Sequence, residues 1–349
     1  TAVFGKSFKK SALEIGNKLQ YERMDLEQPS SVIPNNFTHS RWKEYLYADY
    51  TYNGNPFSFS TSLGWDLTFN EVEGKKKNYS RLKYSVSMDV NLGKNGGAKL
   101  FSRGYTVDPS SAYLNPYDTS ADSLLIVRGN PSLTPYYYKE VGLTFSYSLG
   151  NLYIWPQLIY SHCSDMITAM GYYTDENIFV STYGNTENEE LLSARAYLRY
   201  TFGKWGEISY TGSYNRNFYY TGVKEWFSHR INWNFRYKKV SLNGHVDTLS
   251  PSYTAIKKSK GSIESQTTLN WNVSRQLSLR ASIRYFVEGP KTSESWIRQK
   301  DYYSYSHRDF DERHNMVMFG LSYRWQNKVK ARKAKKLNVN DNRTSLLTE

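Results

Sequence analysis

No apolar run in the 349 residues approaches the roughly 18 that a membrane-crossing helix needs. A helical membrane protein is therefore excluded. The single cysteine, Cys163, rules out an internal disulfide and a cysteine-based metal cluster. The opening Thr1-Ala2-Val3-Phe4-Gly5 lacks the charged and then apolar stretches of a signal peptide. The expectation is a trimmed precursor or a chain that begins partway through a longer protein. Ala, the strongest helix former, is scarce, and no Gly-rich phosphate loop or zinc-ligand spacing occurs. No catalytic constellation stands out either. His245 and Asp247 lie two apart on one strand face, poor geometry for a base and its orienter, so the expectation is not an enzyme and no cofactor.

What is present points in two directions. A net charge of +13, a charged fraction of 22% and a mean hydropathy of −0.68 describe a soluble basic protein, even a nucleic-acid binder. Yet 32 Tyr, 9 Trp and 16 Phe make 16% of the chain aromatic, a composition that favours pleated strands. A transmembrane barrel can be polar overall, because only alternate residues of each strand meet lipid.

Counting by twos establishes strands; a soluble β-sandwich or β-propeller alternates as well, but these strands run to ten or more residues, the length a tilted strand needs to cross a bilayer. Over 141–149 the odd positions are Val141, Leu143, Phe145, Tyr147 and Leu149, and the even ones Gly142, Thr144, Ser146 and Ser148. Over 263–273, Ile263, Ser265, Thr267, Leu269, Trp271 and Val273 alternate with Glu264, Gln266, Thr268, Asn270 and Asn272. Over 316–325, Val317, Phe319, Leu321, Tyr323 and Trp325 oppose Met316, Met318, Gly320, Ser322 and Arg324. The polar set includes Asp66, Lys83, Asp89, Arg195, Arg199, Arg280 and Arg284, suited to a wet lumen. Aromatics toward strand ends, such as Tyr84, Trp155, Tyr200, Trp233, Tyr285 and Trp325, fit interfacial girdles.

Short turns alternate with long polar connections. Asn53-Gly54 is expected to form a type I′ hairpin turn. Long loops are expected over 24–40, 70–79, 109–135, 164–191, 216–227, 248–261 and 289–312. That alternation is the periplasmic/extracellular asymmetry of outer-membrane barrels. The sequence thus predicts an all-β, antiparallel up-and-down transmembrane barrel of about fourteen strands over 1–326, with a basic polar periplasmic tail over 327–349. Cations of that tail, such as Lys328, Arg332 and Lys336, are read as solvated rather than as a nucleic-acid site.

One stretch goes further. Tyr105-Thr106-Val107-Asp108-Pro109 is followed by Leu114-Asn115-Pro116-Tyr117 and then Gly129-Asn130-Pro131-Ser132-Leu133-Thr134-Pro135. This order resembles the barrel of TonB-dependent outer-membrane receptors, in particular the outer-membrane β-barrel family common in Bacteroidota. The chain departs from the family in having Asp108 where Arg is usual and Tyr136 where Glu is common. The resemblance implies a barrel of twenty-two strands, of which this chain supplies the C-terminal portion, lodged in outer-membrane lipid by the barrel assembly machinery. It implies contact with the TonB complex only through an N-terminal plug that this sequence lacks. It implies uptake of a large nutrient such as an iron chelate, a cofactor or a glycan. The alternative is a plugless fourteen-strand passive diffusion channel. Candidate ligand contacts are Tyr136 and Tyr137 at the lumen mouth. Tyr302, Tyr303, Tyr305, His307 and Asp309 join them from a loop rich in phenols and carboxylates.

Overall fold

A computed structural model describes residues 1–28, 35–120, 124–185, 188–219, 222–253, 257–259, 261–287, 292–299, 302–309 and 315–325. The tail over 327–349 lies outside the described residues. In chain order the strands are β1 (Ala2–Ser7), β2 (Ser11–Gln28), β3 (Asn35–Asn53), β4 (Phe57–Val72), β5 (Lys75–Asn91), β6 (Gly96–Val107), β7 (Leu125–Val127), β8 (Tyr136–Leu149), β9 (Leu152–Ser164), β10 (Ile167–Tyr173) and β11 (Phe179–Asn185). They continue with β12 (Glu189–Thr201), β13 (Gly206–Tyr219), β14 (Gly222–Tyr237), β15 (Val240–Leu249), β16 (Ser252–Tyr253), β17 (Lys257–Ser259), β18 (Ser262–Asn272), β19 (Leu277–Val287), β20 (Thr292–Gln299), β21 (Tyr302–Asp309) and β22 (Met316–Tyr323). One short helix, α1 (Ser111–Leu114), follows β6.

Fifteen strands form one antiparallel sheet in which chain neighbours pair, ending at β1 and β22. It holds the fourteen strands expected plus β1, which pairs with β2 from Ala2↔Asn17 to Ser7↔Ala12. The all-β architecture read from the sequence is the one observed, as an open sheet whose edges do not meet.

Burial across this sheet is inverted relative to a soluble protein. Along β4, Leu63, Trp65 and Phe69 are exposed while Asp66, Thr68 and Asn70 are buried. On β18 and β19, Thr268 and Ser282 are buried and share a 2.9 Å hydrogen bond, whereas Leu269 and Ile283 are exposed. Large exposed apolar side chains beside covered polar ones fit a sheet whose solvent on one face is hydrocarbon. The seven expected polar residues, Asp66, Lys83, Asp89, Arg195, Arg199, Arg280 and Arg284, share the polar face by register.

Several expectations are corrected. The 70–79 loop is two long strands joined by Glu73-Gly74, both at positive φ (49° and 74°). The type I′ hairpin pattern therefore stands there, not at Asn53-Gly54, where three residues, 54–56, connect β3 to β4. The 24–40 and 216–227 loops are likewise strand apart from 29–34 and 220–221, which lie outside the described residues, because β2 and β3 stay paired out to Gln28↔Asn35 and β13 and β14 out to Tyr219↔Gly222. Trp155 belongs to no girdle. Its register opposite Tyr197 puts it on the polar face, lining a hollow with Asp89, Lys99 and Thr144.

The remaining long connections carry structure of their own. β10 pairs with β11, and β11 with β7 in parallel, giving a three-stranded sheet. β16, β17, β20 and β21 form a four-stranded one.

Candidate functional site

The long-loop end is a built surface, and the connection after β6 is its foundation. Asp108-Pro109 leaves the end of β6, and Ser110 caps α1 by accepting from the Tyr113 amide. Asn115 Oδ1 accepts the Tyr117 amide at 3.0 Å, and its carbonyl accepts the Gly129 amide at 2.6 Å. The Asn130 amide returns to the Tyr113 carbonyl at 2.6 Å, so the two halves of the loop are stitched together. Gly129 is required at this seam, since a Cβ there would stand 2.4 Å from the Tyr113 carbonyl oxygen.

Hydrophobic burial then seats the loop on the polar face. Leu114 and Leu133 pack with Phe37 of β3 and Val72 of β4, flanked by Tyr117, Ile167 and Tyr183. Pro109 and Pro135 are fully buried, whereas Pro116 and Pro131 are half-buried. The side chain of Asn130 donates to the Tyr183 carbonyl (2.9 Å), and Asn185 and Thr134 exchange two 2.9 Å hydrogen bonds. Tyr113 and Tyr183 stack with centroids 4.0 Å apart. The family-motif residues thus shape and seat the loop; their side chains face each other and the wall.

A polar network completes the seat. Arg41 donates to the Pro109 carbonyl (2.7 Å) and to Asn70 (3.2 Å). His39, 1% exposed, bridges Asn70 and Ser111 at 2.8 Å each. Because the Asn70 oxygen can only accept, Nε2 carries the proton and Nδ1 receives the Ser111 hydroxyl. Lys43 stands 2.6 Å from Asp108 and 3.6 Å from Asp66. Asp108 therefore has its own cation on the wall, which accommodates the carboxylate standing where the resembled family has Arg. Lys77 and Tyr79 bond the carbonyls of Ser132 and Leu133, and Tyr117 bonds Glu73.

The candidate ligand contacts separate. Tyr136 is half-buried on the polar face, in line with Tyr138 and Glu140, and Arg103 pairs with Glu140 at 2.6 Å. Tyr137 sits on the opposite face, reaching across Gly104 to donate to the Leu82 carbonyl at 2.7 Å. Tyr303, Tyr305 and His307 alternate along β21 in the separate four-stranded sheet, with both tyrosines exposed. The side chains of Tyr302 and Asp309 lie outside the described residues. Asp247 is held by Arg230 at 2.5 and 2.7 Å, with His245 at 3.8 Å. Sequence reasoning missed His39, Arg41 and Lys43. Their signal was the same period of two, one polar side chain every second residue opposite the exposed Trp42.

The family model described as outer membrane protein β-barrel family matches residues 6–323. Among solved structures the chain is similar to the copper transporter OprC, at 9% identity and a TM-score of 0.63 over 81% of this chain and 49% of that one. It is similar to the FrpB iron transporter from Neisseria meningitidis at 10% identity and 0.59, over 92% and 54%. A mutant of the ferric enterobactin receptor PfeA from Pseudomonas aeruginosa, in complex with enterobactin, aligns at 12% identity and 0.58, over 81% and 47%. At such identities the likeness is one of fold. The chain spans about half the length of these proteins. No curated protein matches the sequence.

Proposed function

The chain belongs to the outer membrane protein β-barrel family, and on that premise we propose that it forms the larger part of the wall of a TonB-dependent receptor for a large nutrient. Iron chelates, cofactors and glycans remain the candidate classes. The motif order of 105–135 supports a place in the branch common in Bacteroidota. The observation that carries the reading is the loop after β6. A passive channel needs an open mouth, whereas here a packed loop is anchored to the lumen wall through Arg41, His39 and Lys43. The 302–309 hairpin offers phenols at the same end, and rigid aromatics contact ligands at low entropic cost. The edges at β1 and β22 also support a larger barrel, because unpaired backbone facing hydrocarbon is costly and further strands would pair it.

On this reading the short turns face the periplasm and the long connections face outward. An epitope inserted between Gln299 and Tyr302 of the full-length protein should be reached by antibody on intact cells. Reactivity that requires breaching the outer membrane would reverse the orientation and remove the capture surface. The coding sequence upstream of Thr1 is a second test. An in-frame plug segment agrees with a receptor, and a signal peptide directly before Thr1 agrees with the passive channel.

A further inference from the structure

Charge is distributed unequally between the two ends of the sheet. Windows reaching two residues beyond each of the seven short turns, together with Arg324 after the last strand, hold ten Lys and Arg against one acid, Glu207. The seven connections at the opposite end, windowed alike, hold eleven cations and eighteen acids. The excess of base in the chain is therefore no uniform wash of Lys and Arg; it is concentrated at one rim.

The outer side of that rim has a repeated local construction. Lys6 lies 5.4 Å from the Phe8 ring centroid, Lys204 5.5 Å from that of Trp205, and Lys238 5.2 Å from that of Tyr237. All three rings are exposed, and Trp205 stacks on Tyr237 at 4.9 Å. Lys6 and Tyr237 stand on the apolar face, in register with Leu13 and Val240. An exposed ring at a strand end is a headgroup-level anchor, and a lysine over that ring holds its ammonium at phosphate depth.

We propose that the short-turn rim is a docking surface for the phosphate groups of anionic phospholipids in the adjoining leaflet. Lys9, Lys10, Lys204 and Lys238 are its principal contacts. Lys239, Arg275 and Arg324 line a polar hollow on the other side of the rim and are not part of this surface. The proposal rests on the membrane-barrel reading but not on which end faces the periplasm, since a disc with the same lipids in both leaflets tests it in either orientation.

The experiment places the full-length protein in phosphatidylcholine nanodiscs and measures its preference for spin-labelled phosphatidylglycerol over spin-labelled phosphatidylcholine. The native protein should prefer phosphatidylglycerol and lose that preference in high salt. The Lys9→Gln/Lys10→Gln/Lys204→Gln/Lys238→Gln variant should lose about fivefold or more, the factor that one near-surface cation carries. Replacement of the same four by Arg should retain the preference, and heat-modifiable mobility verifies that each variant is folded. Lys75→Gln/Lys76→Gln, at the opposite end, should change nothing. An unchanged preference in the quadruple Gln variant overturns the proposal, as does a loss in the Lys75/Lys76 variant. Full displacement of the label by inorganic phosphate would assign the rim to free anions. Binding of polyglutamate without any lipid preference would assign it to an acidic protein. Either result overturns the proposal as well.

Discussion

Arginine at Leu100 tests the two-faced sheet where it is most sensitive. Leu100 is 48% exposed on the apolar face, between Met88 and Leu143 in register. It lies five residues beyond the 92–95 turn. On a strand rising ~3.3 Å per residue and tilted ~40°, that is about 13 Å up, the middle of an apolar band ~25 Å tall. Arginine there costs ~2–4 kcal/mol, a loss of about 30- to 1,000-fold in the folding constant. Ser146 is the control, at a similar height on the polar face, opposite Gly97 and beside a polar hollow lined by Asp89 and Asn91. Ser146→Arg should cost less than about 1 kcal/mol, because the guanidinium stays hydrated and meets a carboxylate. Denaturant titration of the full-length protein in lipid vesicles, read by heat-modifiable mobility, measures both. Equal losses, or a larger loss at Ser146, would refute the assignment of faces.

Further outcomes follow from the seated loop. Lys43→Met leaves Asp66 and Asp108 covered without their cation. It should loosen 108–135 by an amount toward the lower end of ~3–5 kcal/mol, since Lys43 keeps a quarter of its side chain exposed; limited proteolysis within the loop, with the barrel intact, is the readout. Asp108→Arg should loosen the loop in the same way by facing Lys43, and adding Lys43→Glu should restore protection. His39→Ala removes the bridges to Asn70 and Ser111, and hydrogen exchange over 108–135 should rise while the barrel stays folded. Cys163, buried at the outer end of β9, should resist alkylation at pH 8 until the protein unfolds.

Period two was legible because a membrane imposes it on every strand at once. It correctly put Gln266 and Asn270 on the face opposite Leu269, and Arg284 on the same face as Glu264, without knowledge of any partner strand. What it could not reveal depends on register between strands. Trp155 has the girdle composition, yet only its pairing with Tyr197 shows that it faces the lumen. The polar 70–79 segment has loop composition, but ladder hydrogen bonds between β4 and β5 continue through it to a two-residue turn. The prolines and asparagines of 105–135 were legible as a motif. Their work, holding a loop against Phe37 and Val72, required contacts more than thirty residues apart.

Steady conductance of the full-length protein in planar bilayers bears most directly on the central claim, because it needs no knowledge of the ligand. On the receptor reading a plug closes the full-length barrel, so it should stay electrically silent under an applied voltage. Lys43→Met should not open it, since that variant loosens only the 108–135 loop on the wall and leaves the plug in place. A persistent ohmic current from the unmodified protein would contradict the account and identify a passive diffusion channel.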